Sequence, residues 1–546
     1  MAVRQKIIGV GLSLLLALPA YGEQVPEPDF RPEAMRAHVA FLADDLLEGR
    51  DAGTLGYDVA AAYVASQFDG LGLSKPQSGS WMQPIAFKES RLTGADPVVI
   101  IGGQRFENRK TALLSPSLRD PVQSIEASVV FVGYGFDRPE LGLTDYTGLD
   151  VKGKYVAILA GFPNDMASDI GAHLSSEKAK VAEQHGAIGL LTIRTNATER
   201  TQPWARMTAF PARSSITWVE DSGQAHSDAP GIRATATLGD EAASALFAGG
   251  KTSLAAIKIL ADKAGGRPKG FPLKPAVRIE RESQIGDYAS ANVVGILPGS
   301  DPALAGEYVL LMAHLDHNGV SPKREGDKIF NGAMDNASGV ATLIEVAKAR
   351  KSTPNRPRRS ILFVAVTSEE DGLLGSAYLA RHPVVGDGKV VAVVNLDMPI
   401  LLYDFQDVIA FGAEHSEIGV AVARAGAKMG IALSPDPLPE ERLFTRSDHY
   451  SFVKQGIPSI FLMTGFQNGG EKAFKDFLAT HYHKPSDQMD LPFNWNAAAK
   501  FARINYLIAH EIADMNAAPR WYKDSFFGDR FAPSAVKALA PISAKK

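Results

Sequence analysis

Imidazoles and carboxylates in the second half of the chain stand where apolar runs end. His314 and Asp316 follow the run 308–313, Glu369 and Glu370 follow 361–367, and Asp397 follows 390–396. Asp335 lies in Asn331-Gly332-Ala333-Met334-Asp335-Asn336, and His483 in Tyr482-His483-Lys484-Pro485. Imidazole nitrogen and carboxylate oxygen are donors that zinc takes, and a zinc that does chemistry keeps three protein ligands and one open position. Two divalent ions sharing a bridging Asp therefore need two imidazoles and three carboxylates. A further carboxylate is then free to move a proton. These segments supply that set, with one carboxylate to spare.

Each residue also has a plainer reading. Asp316 is placed to hold the second ring nitrogen of His314, which would fix its tautomer and raise its basicity. Asp335 bridges two ions or caps the helix that follows it, and Asn336 or Ser338 can cap while Asp335 ligates. Of the adjacent pair Glu369-Glu370, one carboxylate would bind metal while its neighbour takes a proton from water. His481 competes with His483, since in extended chain both share a face. His317 reads as a peripheral histidine.

Composition sets the frame. A chain of 546 residues allows roughly three domains. Apolar residues make up 45% and the formal charge is -4, which suits a soluble globular protein and gives no footprint for nucleic acid. Arg4 and Lys6 precede an apolar run over 7–18 and small residues near Gly22. That is the pattern of a cleaved export signal, too short for the roughly 20 apolar residues of a membrane span. We therefore expect an exported protein, periplasmic or released to the medium, with no stable membrane insertion. With no cysteine, neither a disulfide nor a thiolate-held metal is available. The sequons at Asn196 and Asn336 are read as chance matches, the second because a glycan would block the ligand cluster.

The elements that must position these residues follow from periodicity. Residues 28–90 read as mostly helical, with Pro32 at a helix start and Met35, Val39, Leu42 and Leu46 on one face. From about 117 short strands prevail, at 129–132, 155–159 and 190–193, with a helix expected over 176–185. Beyond about 285 strands alternate with helices, the last near 496–515. That order predicts an α/β domain, a mostly parallel mixed sheet with helices on both faces, whose strand ends border a ligand crevice. The aromatics Trp521, Tyr522, Phe526 and Phe527 are expected to pack back onto it.

The motifs His314-Leu315-Asp316, 332–339, Glu369-Glu370, Asn395-Leu396-Asp397-Met398 and 482–487 occur in the order of the M28 family of metallopeptidases, the zinc aminopeptidases, which this chain resembles over about 285–515. The resemblance implies a zinc-exopeptidase-like sandwich holding two zinc ions. It makes His314 and Asp397 ligands of one ion, Glu370 and His483 ligands of the other, and Asp335 the bridge. Glu369 becomes the general base, with Asp316 beside the site and Tyr482 facing a developing oxyanion; a cis peptide after Asp335 is also implied. Met334 departs from the usual small or acidic residue and bears on pocket shape. Ser447-Asp448-His449-Tyr450 matches a pocket segment, with Asp448 either a brace behind a ligand or a surface turn. Val132-Gly133-Tyr134-Gly135 and the motifs at 150–154 and 185–189 are similar to the protease-associated (PA) insert of such peptidases, a β-rich domain. The expected organisation is a signal over 1–22, a first catalytic part over 28–116, an insert over 117–275, the main catalytic part over 276–516 and a tail over 517–546.

The implied activity is hydrolysis of N-terminal peptide bonds in peptides or proteins. A carboxypeptidase or an aminoacyl cyclase would keep the same cluster, and a non-catalytic binding protein would need to have lost ligands that are all present here. The sequence is silent on oligomeric state.

Overall fold

The computed structural model describes residues 28–209, 214–353 and 356–541. The expected signal segment lies outside them. The apolar runs form the middle of one large mixed sheet. Neighbour to neighbour, its strands are Ser215–Trp218, Met82–Ile101, Val277–Leu297, Ser360–Val366, Glu307–His314, Lys389–Leu396, Ser459–Thr464, Asp407–Phe411 and Ala432–Ser434. The stretch from Ser360–Val366 to Ser459–Thr464 is parallel, and antiparallel pairs flank it on both sides.

Alternation explains why the central strands read as unbroken apolar runs. Val309, Leu311, Ala313, Ile361, Phe363, Ala365 and Val394 share a core with helices Pro32–Leu42, Leu55–Gly70, Ser338–Ser352 and Trp495–Ala513. Leu310, Met312, Leu362, Val364 and Val393 point the other way, toward Leu379 and Phe452 of helices Leu374–Arg381 and His449–Val453. A strand buried on both faces needs no polar side. Burying each Leu, Ile or Val contributes about 1.5–3 kcal/mol, and these layers carry a fold that has no disulfide.

A second sheet runs in the order Phe271–Pro272, Val129–Phe131, Tyr155–Leu159, Gly189–Ile193, Ala234–Leu238 and Ala112–Leu114. Leu174, Ala242, Leu246 and Ile257 cover one of its faces, and Val181 and Ala182 the other. Two long strands tie the sheets together. Met82–Ile101 pairs with Val277–Leu297 from Met82 opposite Val293 to Ile101 opposite Val277, with a register shift between Thr93 and Val98. One end of this ribbon, at Val293 and Leu297, sits in the main core, and the other, at Val99 and Val277, sits in the second.

Some local expectations give way. The helical pattern of 28–90 stops at Gly70, where Gly72 at φ 66° turns the chain out of the helix, and strand begins at Met82, with Ile85 and Phe87 alternating in burial. Leu46 is 87% exposed, since helix Pro32–Leu42 ends before reaching it. The helix expected over 176–185 forms as Lys178–Gln184, with a separate helix, Ser168–Ser176, before it. Trp521 and Phe527 do pack into the main core. Among the described residues no helix is long and apolar enough to cross a membrane.

Candidate metal centre

Parallel neighbours deliver the donors. His314 is the last residue of Glu307–His314, Glu369 and Glu370 follow Ser360–Val366, and Asp397 follows Lys389–Leu396. These strands pair side by side, so their carboxyl ends open on one crevice. Asp335 comes from the turn before helix Ser338–Ser352, and His483 from the segment after helix Gly470–Thr480. The Asp335–Asn336 peptide bond is cis.

The donor atoms converge in two overlapping sets. His314 Nε2 lies 3.2 Å from Asp335 Oδ1 and 3.3 Å from Asp397 Oδ1. On the other side, His483 Nε2 lies 3.3 Å from Asp335 Oδ2 and 3.1 Å from Glu370 Oε2. Asp335 thus turns one oxygen to each set. Neighbouring donors on a tetrahedral zinc with bonds of about 2.0–2.2 Å are roughly 3.3–3.6 Å apart, and these spacings fit it. His314 Nδ1 donates to the Asp316 carbonyl at 3.1 Å, which leaves the Nε2 lone pair facing the carboxylates.

Electrostatics favour a cation here. Burial opposes ionisation of Asp335, but hydrogen bonds from His314 and His483 hold its carboxyl well below the usual range. Burial and Asp335 would raise Glu370, yet His317 and His483 outweigh them and bring it down to about 2. Burial would lower His483, while Asp335 and Glu370 carry it up to about 10. Carboxylates that hold protons this firmly on imidazoles would also hold a divalent ion in their place. Glu369 differs from its neighbour: burial pushes its carboxyl well up, His314 opposes, and Asp397, Glu370 and Asp448 add to the rise.

A ring of braces fixes these side chains. The Asp316 carboxylate does not reach the His314 ring as expected. It accepts the backbone amides of Glu369 at 3.1 Å and Glu370 at 3.2 Å, because Ser368 at φ 52° turns the chain back toward it. Asp487, fully buried, accepts the amides of Met334 at 2.8 Å and Asp335 at 3.0 Å, and burial pushes it up to about 7. Ser447 donates to Asp397 Oδ2 at 2.6 Å and accepts from Asn395 Nδ2 at 2.6 Å. Asn336 Oδ1 accepts the Gly339 amide at 3.0 Å, so capping and clustering fall to adjacent residues.

Other expectations are settled by burial. His317 is not peripheral: it is fully buried, with Nδ1 2.7 Å from Glu370 Oε1. Asp448 is not a surface turn but lies buried behind the crevice, pushed up to about 6 by burial, with His314 opposing. His481 Nδ1 faces Ser486 instead of the cluster. Tyr482 stacks on His483 with ring centroids 3.8 Å apart. Met334 lies within the main core.

Arg50 carries no local sequence signal at all. Its buried guanidinium donates to the carbonyls of Leu42, Leu315, Asn331 and Gly332, which form the floor beneath His314 and Asp335. His317 did have one, its spacing of three from His314.

Comparisons with known proteins agree with this geometry. Residues 292–509 match the model of Peptidase family M28. The chain is 39% identical over 108 residues to a probable zinc metalloprotease of Pyrenophora teres f. teres, covering 19% of this chain and 22% of that protein. It is 27% identical over 225 residues to a probable leucine aminopeptidase 2 of Aspergillus fumigatus, covering 38% and 41%. The matches thus span less than half the length of these relatives. An aminopeptidase from Aneurinibacillus sp. strain AM-1 has a similar fold, with a TM-score of 0.50 and 18% identity, covering 88% of this chain and 93% of that one. Residues 292–509, which hold every donor of this centre, are thus similar to peptidase family M28.

Proposed function

We propose that this protein is an exported zinc-dependent aminopeptidase that hydrolyses N-terminal peptide bonds through a site for two divalent ions. The observation that carries the reading is Asp335, whose two oxygens face two separate donor sets, His314 with Asp397 and His483 with Glu370. The aminopeptidase names of the Aspergillus and Aneurinibacillus proteins support a free-amine substrate.

Zinc in these positions supplies positive charge that polarises a peptide carbonyl and makes a water more acidic. The protein's own residues do the rest. Glu369, whose carboxyl burial makes a ready proton acceptor, takes a proton from water as its oxygen adds to the carbonyl carbon. It returns that proton to the amide nitrogen as the C–N bond breaks. Asp316 holds Glu369 and Glu370 by their backbone amides, so base and ligand keep their spacing. Ser447 fixes the free oxygen of Asp397. The Tyr482 hydroxyl is assigned to the developing oxyanion, and its ring is steadied by stacking on His483.

The test is a panel of aminoacyl chromogenic substrates with free and acetylated amines, with and without chelator. Hydrolysis of free-amine substrates that is lost on chelation and restored by zinc is expected. Cleavage only of substrates with a free carboxylate, or cyclisation without hydrolysis, would replace this reading.

A further inference from the structure

We infer that His317 is a fourth side-chain donor at the position formed by Asp335, Glu370 and His483, so that the two metal positions are unequal and fill in order. The inference rests on the zinc-peptidase reading above. His317 is fully buried, and Gly332 makes room for it: a Cβ at Gly332 would stand 2.6 Å from the imidazole ring. Nδ1 lies 2.7 Å from Glu370 Oε1 and 3.9 Å from Asp335 Oδ2.

Among the described residues, neither ring nitrogen of His317 has a hydrogen-bond partner, and neither does Glu370 Oε1. The contact between them has the length of a hydrogen bond without its direction, so the nitrogen is not aimed at that oxygen. Buried polar atoms left unsatisfied side by side call for a shared partner. A cation between them is such a partner. His483 closes the opposite side, its ring tilted 69° to that of His317 with centroids 5.8 Å apart. The imidazole-to-carboxylate spacings at this position run from 2.7 to 3.9 Å and bracket those of a tetrahedral zinc.

The consequence is an asymmetry. His317, His483, Glu370 and one oxygen of Asp335 complete a four-donor set, as in structural zinc sites. His314, Asp397 and the other oxygen of Asp335 are one donor short, and that position keeps the opening a substrate needs. The closed position holds a resident ion, and the open one exchanges.

The test uses the full chain stripped with chelator and titrated with zinc, reading affinity by competition and imidazole number by X-ray absorption at one equivalent. Two steps at least about tenfold apart in affinity are expected, the first with two imidazoles per zinc. Losing an outer brace of a ligand typically costs about 10- to 100-fold in affinity, so His317→Ala should weaken the first step more than about 100-fold. His317→Asn, closer in shape, guards against misfolding and should leave one imidazole. Asp397→Ala should keep the first step and lose the second. One imidazole on the first zinc, or first-step binding by both His317 variants within about threefold of wild type, overturns the inference while leaving the peptidase reading standing. A wild-type chain that binds no zinc overturns both.

Discussion

Glu369 and Glu370 leave the same strand on consecutive residues, yet they meet different neighbours. Glu370 contacts His317 and His483, which keep it ionised, while Glu369 lies among Asp397, Glu370 and Asp448 and is pushed the other way. Glu369→Gln is therefore expected to retain zinc and lose about 10²- to 10⁴-fold in kcat, or roughly 3 to 5 kcal/mol in barrier. Glu370→Ala is expected to lose zinc first. Metal analysis and steady-state kinetics on both variants check this, and near-normal kcat for Glu369→Gln would exchange or abolish the two roles. For His314, Glu370 and Asp397, residue type and position after a strand suffice to nominate them, whereas Asp335 and His483 come from segments beside helices. The role of Asp316 was not legible in the sequence, because its partner depends on the turn at Ser368, where φ is 52°. Burial was equally invisible for His317 and Asp448, since it comes from the packing of distant segments.

Among elements, the segment Asp45–Arg50 has an importance out of proportion to its length. Arg50 ties the carbonyls of three separate stretches, Leu42, Leu315 and 331–332, into one floor. Arg50→Leu leaves those acceptors unpaired and is expected to cost on the order of 3 kcal/mol or more, measured as a shifted urea midpoint. No periodicity announces such a residue: its partners at 315 and 331 lie 265 and 281 positions away. The central strands and helices are readable because burial on both faces leaves unbroken apolar runs, whereas 82–90, expected as helix, is strand with only Ile85 and Phe87 to mark its period of two. A second element-scale joint is Glu177, at the end of helix Ser168–Ser176. It pairs with Arg138 at 2.7 Å, with Arg530 of helix Phe526–Phe531 at 3.2 Å and with His173 at 3.4 Å. Burial opposes its charge, but His173, Arg530 and Arg138 bring the carboxyl down to about 2. A folded-state value below the ordinary carboxylate range contributes stability that is full above about pH 4.5 and is lost as pH falls toward 2. Glu177→Gln should flatten that acid limb, and melting temperatures of both proteins between pH 2 and 5 test it.

For the whole molecule, the expected export makes a simple chemical forecast: mature protein should begin near Glu23, and N-terminal sequencing of secreted material would read it. An intact Met1 there would count against export. The catalytic crevice and the second sheet also share one backbone, the antiparallel ribbon of Met82–Ile101 and Val277–Leu297. Ladder hydrogen bonds along so long a pair make it a girder, anchored in a separate core at each end. Its ladder shifts register between Thr93 and Val98, where Gly94 sits at φ 71°. Side chains join the halves as well: His173 Nδ1 meets the Tyr450 hydroxyl at 2.8 Å, and Glu177 meets Arg530. Helix Ser168–Ser176 thereby braces the helix that follows Ser447, whose hydroxyl holds Asp397, so the packing of the second sheet bears on the seating of a ligand.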